Sequence, residues 1–343
     1  MQNEYTRIHA RLESPDHPFP NSFASLPLRV PPSWRLPEST SSDSEANEMV
    51  TGSTLARRAL GRELHNLREA AGLNQTAAGR IIGVSPQTIG RMEDGLPTKV
   101  SDLYINALCD GYKATDGKRV VLLDLAREVR DAQRSGGGWW RAYADEMRAG
   151  FDHYLGLEEA ARRLTAWKVA IVPGLLQTPG YRRAIEWTQH PNMPPEQVDK
   201  RVEVAIRRQA RLEDIDFRVD VILWEAVLRD QVGGTAVMVE QLRRLADVGK
   251  LPNVSIRAIP FNASAHLGPT VGSFVLLSFP KLPATGLIEP PIVFVEEYAG
   301  DLYLEREAEV ERYKDAFAEI SRVALDSEET RQLVLAIAKE YGE

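Results

Sequence analysis

Residues 73–95 decide the fold of the N-terminal part, and they read LNQTAAGRIIGVSPQTIGRMEDG. Gly79 is small at a point where two helices must approach closely, and Gly83 permits a left-handed backbone in the turn between them. Ser85 can cap the second helix, and Pro86 suits its first position because no amide donor is required there. The stretch therefore predicts two short helices joined by a tight turn.

The second of these helices has one apolar and one polar face. Ile89 and Met92 lie three residues apart and should face the core. Gln87, Thr88 and Arg91 then fall on the opposite, exposed side. A helix of this kind enters the major groove of duplex DNA with its N-terminal half. There Arg91 would donate two hydrogen bonds to a guanine, and Gln87 would pair with an adenine.

Other polar residues nearby predict contacts with the DNA backbone. Gln75 begins the first helix and is placed to hold a phosphate, helped by the dipole of that helix. Arg68 and Lys99 are further candidates for phosphate contacts, although an exposed base is by default only a solvated charge. The predicted DNA-binding residues are Gln75, Thr76, Ser85, Gln87, Thr88, Arg91, Arg68 and Lys99.

The distribution of charge supports the same interpretation. The whole chain has a net charge of −7, which taken globally argues against a nucleic-acid protein. Phosphate attraction is screened within roughly 8–10 Å at physiological salt, so the location of the charge matters more. Residues 54–91 contain six arginines and only two acids, a local charge of +4. The arginines are Arg57, Arg58, Arg62, Arg68, Arg80 and Arg91.

These residues resemble the repressor-like helix-turn-helix family, also called the XRE or lambda-repressor-like family. The spacing that carries the resemblance over about sixty residues is Gln75…Gly83-Val84-Ser85…Ile89…Glu93…Gly95. Pro86 departs from the pattern, because many members carry a polar base-reading residue there and proline has no donor. The resemblance implies an all-α DNA-binding domain, and the geometry of such domains favours a homodimer that reads two half-sites about one helical turn apart.

The composition divides the chain into four segments. Residues 1–50 are rich in proline and serine and are predicted to be disordered; alternatively, translation begins at Met49. The segments are 1–50 disordered, 51–112 helix-turn-helix domain, 113–138 connector helix and glycine linker, and 139–343 an α+β effector- or partner-binding domain. The predicted fold class is thus multidomain, with an all-α repressor-like helix-turn-helix domain followed by an α+β domain.

The pattern beyond residue 138 mixes helices and strands. Leu157–Lys168 and Tyr181–Trp187 are predicted to be helical. Strands at Phe217–Leu223 and Val254–Ile259 flank a helix near Ala236–Val248 and predict a β-α-β unit. Three antiparallel strands are predicted at Ser273–Phe279, Ile292–Glu297 and Leu302–Leu304, and two closing helices follow them.

This second part resembles an uncharacterised domain that accompanies the same helix-turn-helix in many actinobacterial regulators. The resemblance is carried by Trp139-Trp140, Leu157-Glu158-Glu159-Ala160-Ala161, residues 172–181 (VPGLLQTPGY), Arg207-Arg208-Gln209 and Val254–Phe261. In that family the gene often lies beside one for a small partner protein, and the regulators are described as antitoxin-like. The resemblance therefore implies a protein partner and identifies no ligand.

The residues of the second part leave two kinds of site open. Pro173–Tyr181 is predicted to be a turn followed by a helix with Thr178 as its cap, which acts either as an anion site or, more simply, as a connector. The tryptophans would line a small-molecule pocket or pack in the core. We find no nucleophile elbow, zinc-binding helix, phosphate loop or dinucleotide fingerprint, so no catalytic residue, metal or cofactor is predicted.

Taken together, the sequence predicts a dimeric, cytoplasmic transcriptional regulator that binds double-stranded DNA and is not an enzyme. Cys109 is the one cysteine, which suits a reducing compartment, and no apolar stretch approaches the ~20 residues that span a bilayer. The second domain would sense a small molecule or a small protein. The alternative is an antitoxin-like protein that neutralises a small neighbouring protein and binds DNA for autoregulation.

Overall fold

The N-terminal part is helical in a computed structural model that describes residues 41–134, 138–140, 143, 147, 150–298 and 300–342. Its helices are α1 (Ser41–Ala70), α2 (Gln75–Ile82), α3 (Pro86–Glu93), α4 (Asp102–Gly111) and α5 (Asp116–Arg134). Helix α1 begins at Ser41, inside the segment 1–50 that the sequence predicts to be disordered. The rest of that prediction, for residues 1–40, lies outside the described residues.

The predicted apolar faces of the helical part form its core. Leu60 and Leu64 of α1 pack with Ile89 and Met92 of α3, and all four side chains are at most 3% exposed. One face of α5 is likewise buried, from Leu122 onward. Helix α5 packs along α4 and covers that side of the bundle.

The second part has a mixed sheet surrounded by helices. Its strands are β1 (Arg163–Lys168), β2 (Arg218–Trp224), β3 (Val254–Ile259), β4 (Phe274–Ser278), β5 (Ile292–Glu297) and β6 (Gly300–Leu304). Its helices are α6 (Phe151–Ala160), α7 (Pro179–Gln189), α8 (Pro195–Arg208), α9 (Glu225–Arg229), α10 (Thr235–Val248), α11 (Gly268–Val271), α12 (Glu307–Arg322) and α13 (Ser327–Gly342). Short 3-10 turns at Gly174–Leu176 and Gln209–Glu213 complete the described elements.

The strand order is β3-β2-β1-β4-β5-β6. The predicted β-α-β unit is confirmed, since β2 and β3 are parallel and α10 connects them. The three later strands are antiparallel, as predicted. The second part is therefore α+β, with a parallel half and an antiparallel half that meet between β1 and β4.

The prediction that Leu157–Lys168 is one helix is wrong. Helix α6 ends at Ala160, and Arg163–Lys168 forms β1, a central strand of the sheet. Every residue of β1 after Arg163 is buried, so the strand lacks the alternation of apolar and polar residues that marks a half-exposed strand. A short apolar run of this kind does not distinguish a buried strand from a buried helix.

The helical part and the sheet part belong to one compact unit, residues 45–343. Arg58 of α1 donates two hydrogen bonds to Glu305, which follows β6, at 2.8 and 3.1 Å. Arg62 donates to Glu289, which precedes β5, at 2.6 Å. Glu289 is only 1% exposed, whereas Arg62 is partly exposed, so the contact is half-buried. Helix α1 is thus joined to the sheet part by ion pairs between residues far apart in the chain.

Two glycines in helices predict opposite effects on stability. A Cβ at Gly61 would lie 2.4 Å from the carbonyl oxygen of Met92 and 2.5 Å from that of Glu93, whereas a Cβ at Gly117 meets nothing within 4 Å. Gly61→Ala should lower the free energy of unfolding by about 1–3 kcal/mol through overpacking. Gly117→Ala should be neutral or stabilise by up to about 1 kcal/mol, because alanine favours the helix. Urea unfolding measures both; similar effects at the two positions would contradict the close approach of α1 to α3.

Candidate nucleic-acid interface and a buried cavity

The first helix of the motif, α2, begins and ends at defined capping residues. Asn74 is its N-cap and accepts a 2.8 Å hydrogen bond from the backbone of Ala77, a role that the sequence analysis did not assign. Gly83 ends the helix with φ of +69°, which confirms the predicted left-handed turn. A Cβ at Gly79 would lie 2.5 Å from the carbonyl oxygen of Val84. The small residue is therefore required by the connecting turn.

The second helix, α3, has the predicted start and the predicted buried face. Ser85 is its N-cap and accepts a 3.1 Å hydrogen bond from the backbone of Thr88, with Pro86 in the first turn. The hydroxyls of Ser85 and Thr88 are also 3.0 Å apart. Ile89 and Met92 are buried. The two hydroxyls thus fix the start of α3, at the end that a groove would receive.

The exposed side of the motif carries several of the predicted DNA-binding residues. Gln87 and Arg91 lie one helical turn apart on α3, and both are exposed. Thr76 is exposed on α2, and Lys99 is exposed beyond α3. Arg80 is also exposed on α2, one turn after Thr76. It is among the six arginines of residues 54–91 but not among the predicted DNA contacts. The spacing of four residues between Thr76 and Arg80 would have predicted that both lie on the same face of α2.

Arg68 is not available to DNA, and its prediction as a phosphate contact is corrected. Its side chain is 4% exposed and donates to Glu93 from Nε at 2.6 Å and from Nη2 at 2.9 Å. Its Nη1 donates to the carbonyl oxygen of Leu73 at 2.7 Å. Gln75 also donates to Glu93, at 3.2 Å, so its amide is partly engaged inside the motif. Burial alone would raise the pKa of Glu93, but hydrogen bonds from Arg68, His65 and Gln75 lower it.

Half of the six arginines in residues 54–91 are therefore engaged inside the protein. Three of the six arginines, Arg58, Arg62 and Arg68, are paired with acids of the protein. The motif presents Arg80, Arg91 and Lys99 as its exposed basic side chains in the segment that follows α1 up to residue 99. The positive surface is accordingly smaller than the sequence count of charges predicts.

A cavity of about 270 Å³ lies in the second part, between the sheet and its helices. One face of β1, β2, β4 and β5 forms its floor, and α6, α7, α8 and the segment 171–177 form the opposite wall. Its aromatic lining is Phe151, Tyr154 and Phe294. The tryptophans of the described segments do not line it; Trp167, for example, is fully buried in the core.

The segment Pro173–Tyr181 acts as a connector. Thr178 caps α7 as predicted, accepting a 3.3 Å hydrogen bond from the backbone of Tyr181. The backbone N–H of Thr178 donates to the side chain of Gln241 at 2.7 Å, and both residues are buried. The start of α7 is therefore satisfied by the protein, which favours the connector interpretation over an exposed anion site. Among the described residues, no group of histidine, cysteine or acidic side chains is arranged to hold a metal ion.

A capped helix pair with an open polar face defines the N-terminal part as a helix-turn-helix DNA-binding domain, the class found in regulators. Residues 59–122 match a family described as a helix-turn-helix domain. Residues 151–336, more than half of the chain, match a family described as a domain of unknown function, DUF5753. The chain therefore belongs to the DUF5753 family. No curated protein and no solved structure matches it.

The two family matches support a helix-turn-helix domain and a domain of unknown function. The narrower resemblance to XRE regulators and to actinobacterial antitoxin-like proteins stays a prediction. No helix in the described segments has both the length and the apolar character needed to cross a membrane.

The buried pair of Arg68 and Glu93 predicts a particular pattern of stability. Arg68→Met should lower the free energy of unfolding by about 3–5 kcal/mol, because it leaves a buried carboxylate without its partner. The double variant Arg68→Met with Glu93→Met should recover most of that loss, since a buried apolar pair is often as stable as an ion pair.

The pH dependence of unfolding tests the same pair. The folded-state pKa of Glu93 is lowered from 4.5, so the wild type should lose this contribution as the pH falls below that value. In Arg68→Met the carboxyl pKa should instead be raised, and acid should restore part of the stability. Urea titrations at pH 7 and at pH 4 measure both effects. Equal losses in the single and double variants would contradict a coupled pair.

Proposed function

We propose that this protein is a sequence-specific transcriptional regulator that reads duplex DNA with α3. The observation that carries the proposal is the pair Gln87 and Arg91, exposed one turn apart on a helix whose start is fixed by Ser85. Arg91 would donate to the O6 and N7 atoms of a guanine, and Gln87 would pair with an adenine. Both side chains are long enough to reach base edges from a helix in the major groove.

The flanking residues are assigned to the sugar-phosphate backbone. Thr76 and Arg80 on α2, together with Lys99, would contact phosphates on either side of the groove. The N-terminal amides of α2 next to Gln75 would add a dipole contact. Contacts of this type position the protein without reading sequence, so the two residues on α3 carry the specificity.

A homodimer follows from how few base contacts one motif can make. Each good bidentate contact discriminates by about 1–3 kcal/mol. Pro86, the first residue of α3, adds no donor. A second copy would double the number of base contacts and would read a palindrome with half-sites about one helical turn apart. We place this dimer in the cytoplasm, on double-stranded DNA.

The position of α6 supports a sensing role for the second part. Phe151, Tyr154 and Glu158 on α6 line the cavity. On the same helix, His153 packs against Tyr303 with ring centroids 4.8 Å apart, and Gly156 approaches the side chain of Thr54 on α1. A ligand that moves α6 would therefore displace α1, on which the DNA-binding motif is built. A coupling of about 1–3 kcal/mol between the two sites would suffice for regulation.

A binding selection from fragmented genomic DNA, with purified protein, tests whether the protein recognises a specific DNA sequence. The wild type should recover a short imperfect palindrome, and Gln87→Ala and Arg91→Ala should each weaken binding to it by about 1–3 kcal/mol. Weak non-specific binding should change little. Arg322→Ala is the matched control, because Arg322 is an exposed arginine on α12, outside the helix-turn-helix domain. Loss of binding in the control, or the absence of any enriched sequence at low and moderate salt, would contradict the proposal.

The antitoxin-like alternative is tested by co-expression with the small protein of a neighbouring gene. Under that alternative the small protein copurifies with the chain and alters operator binding, whereas small molecules have no effect. Under the sensing proposal the operator affinity responds to a small molecule in the absence of any second protein.

A further inference from the structure

The cavity of the second part contains a buried lysine without an internal partner. Lys168 is the last residue of β1, lines the cavity and is 8% exposed. Its ammonium group forms no hydrogen bond or ion pair with any described residue. Burial lowers the pKa of Lys168 and outweighs the opposing effect of the Glu296 carboxylate, so this cation has lost more to desolvation than it gains from nearby acids.

Three further polar atoms of the same cavity lack partners. Oε1 of Gln177, Nε of Arg182 and Nε of Arg201 are buried and make no hydrogen bond with the described part of the chain. The amide of Gln177 is held in place, because its Nε2 donates to the carbonyl oxygen of Val172 at 2.7 Å. Buried polar groups are normally satisfied, so these atoms are ones that a bound ligand or ordered water in the cavity would satisfy.

The formal charges of the lining residues that the structure describes leave one positive charge in excess. Arg208 is paired with Glu158 by two hydrogen bonds, at 2.8 and 2.7 Å. Arg182 and Arg201 share Glu186, which is 1% exposed. Across all its described lining, the cavity has four bases, Lys168, Arg182, Arg201 and Arg208, and three carboxylates, Glu158, Glu186 and Glu296.

Glu296 is the third carboxylate, and the sheet register places it apart from Lys168. Ala166, Val275 and Phe294 form one row across β1, β4 and β5. Lys168 and Glu296 each lie two residues beyond that row, on the same face and two strands apart. Their backbones are thus separated by roughly 9–10 Å, twice the spacing of neighbouring strands. Both residues line the cavity.

We propose that this cavity binds a small monocarboxylic acid with an apolar body. The carboxylate would pair with Lys168, which balances the one charge in excess, whereas a dianion would leave the site negative. Leu164, Val219 and Phe294 on the sheet provide an apolar surface for the body of the ligand. Oε1 of Gln177 would accept from a hydroxyl or amide of the ligand. The size of about 270 Å³ is close to the lower end of the ~300–1,000 Å³ of small-molecule pockets.

Calorimetric titration of the full chain, without DNA, tests this inference. The probes are octanoate and 3-phenylpropanoate, the neutral amide of each acid, and inorganic phosphate. At least one carboxylate should bind ten-fold or more tightly than its amide, and phosphate should bind more weakly than that carboxylate. If neither carboxylate exceeds its amide, or if phosphate binds as tightly as the better acid, the inference is overturned.

The variant Lys168→Met removes the ammonium group and keeps most of the stem. It should abolish the preference for the carboxylate over the amide. It should also raise the thermal midpoint of the ligand-free protein, since a buried charge that makes no hydrogen bond with the described residues is lost. Lys250→Met is the matched control at an exposed lysine and should change neither quantity. If Lys168→Met retains the preference, the inference is overturned. If that variant does not fold, the comparison of acid with amide in the wild type decides.

The regulatory consequence, though not the binding site, rests on the proposed function. Operator affinity of the wild type is therefore measured separately, with and without the best acid. Operator recognition without acid binding overturns this inference and leaves the regulator intact. Acid binding with unchanged operator affinity supports the site and contradicts the sensing role.

Discussion

The buried ion pair of Arg68 and Glu93 is the contact on which the DNA-binding motif depends. Glu93 is the last residue of α3, and it accepts hydrogen bonds from Arg68 on α1 and from Gln75 on α2. One carboxylate thus joins three helices at a point. Because a carboxylate in such a place has lost most of its water, the cost of burial is offset only while its donors are present. This requirement fixes the orientation of α3 relative to α1.

Helix α1 connects the DNA-binding motif to the sheet part. Near one end it holds α3 through Arg68, and further back Arg58 and Arg62 pair with Glu305 and Glu289. An acidic protein therefore uses arginines mainly as internal connections and leaves a small basic surface for DNA. The three arginines that line the cavity are likewise paired with acids. Lys168 is the exception among the described lining residues. A departure of this kind in an otherwise balanced interior marks a place for a ligand.

Much of the motif could be predicted because its signals are local. The left-handed turn at Gly83, the cap at Ser85 and the buried face of α3 depend on neighbouring residues, and all three are confirmed. Arg68 could not be assigned, because an arginine on an amphipathic helix has the same pattern whether its partner is DNA or a glutamate 25 residues away. The strand β1 was mistaken for helix since burial on both faces removes its alternation.

The cavity could not be predicted at all, because its lining comes together only in three dimensions. Lys168 follows a tryptophan in a run that has no motif. Its neighbour on β2, Leu223, lies 55 residues further along the chain, and the lining residues on β4 and β5 lie more than a hundred residues further along. The tryptophans drew attention as possible lining residues, yet the aromatic lining is formed by phenylalanine and tyrosine. The fold class and the helix-turn-helix motif could therefore be predicted from the sequence, whereas the cavity depends on the register of the sheet.

The long separation between α1 and its acidic partners has a consequence for synthesis. The contacts inside the motif join residues at most a few tens of positions apart, so they can form as soon as that segment leaves the ribosome. Arg58 and Arg62 wait for Glu305 and Glu289, which are 247 and 227 residues further on. Chains emerge at about 5–20 residues per second, and contacts at such separation form late. For roughly ten seconds or more, the nascent DNA-binding motif carries two arginines whose acidic partners in the finished protein have not yet been synthesised.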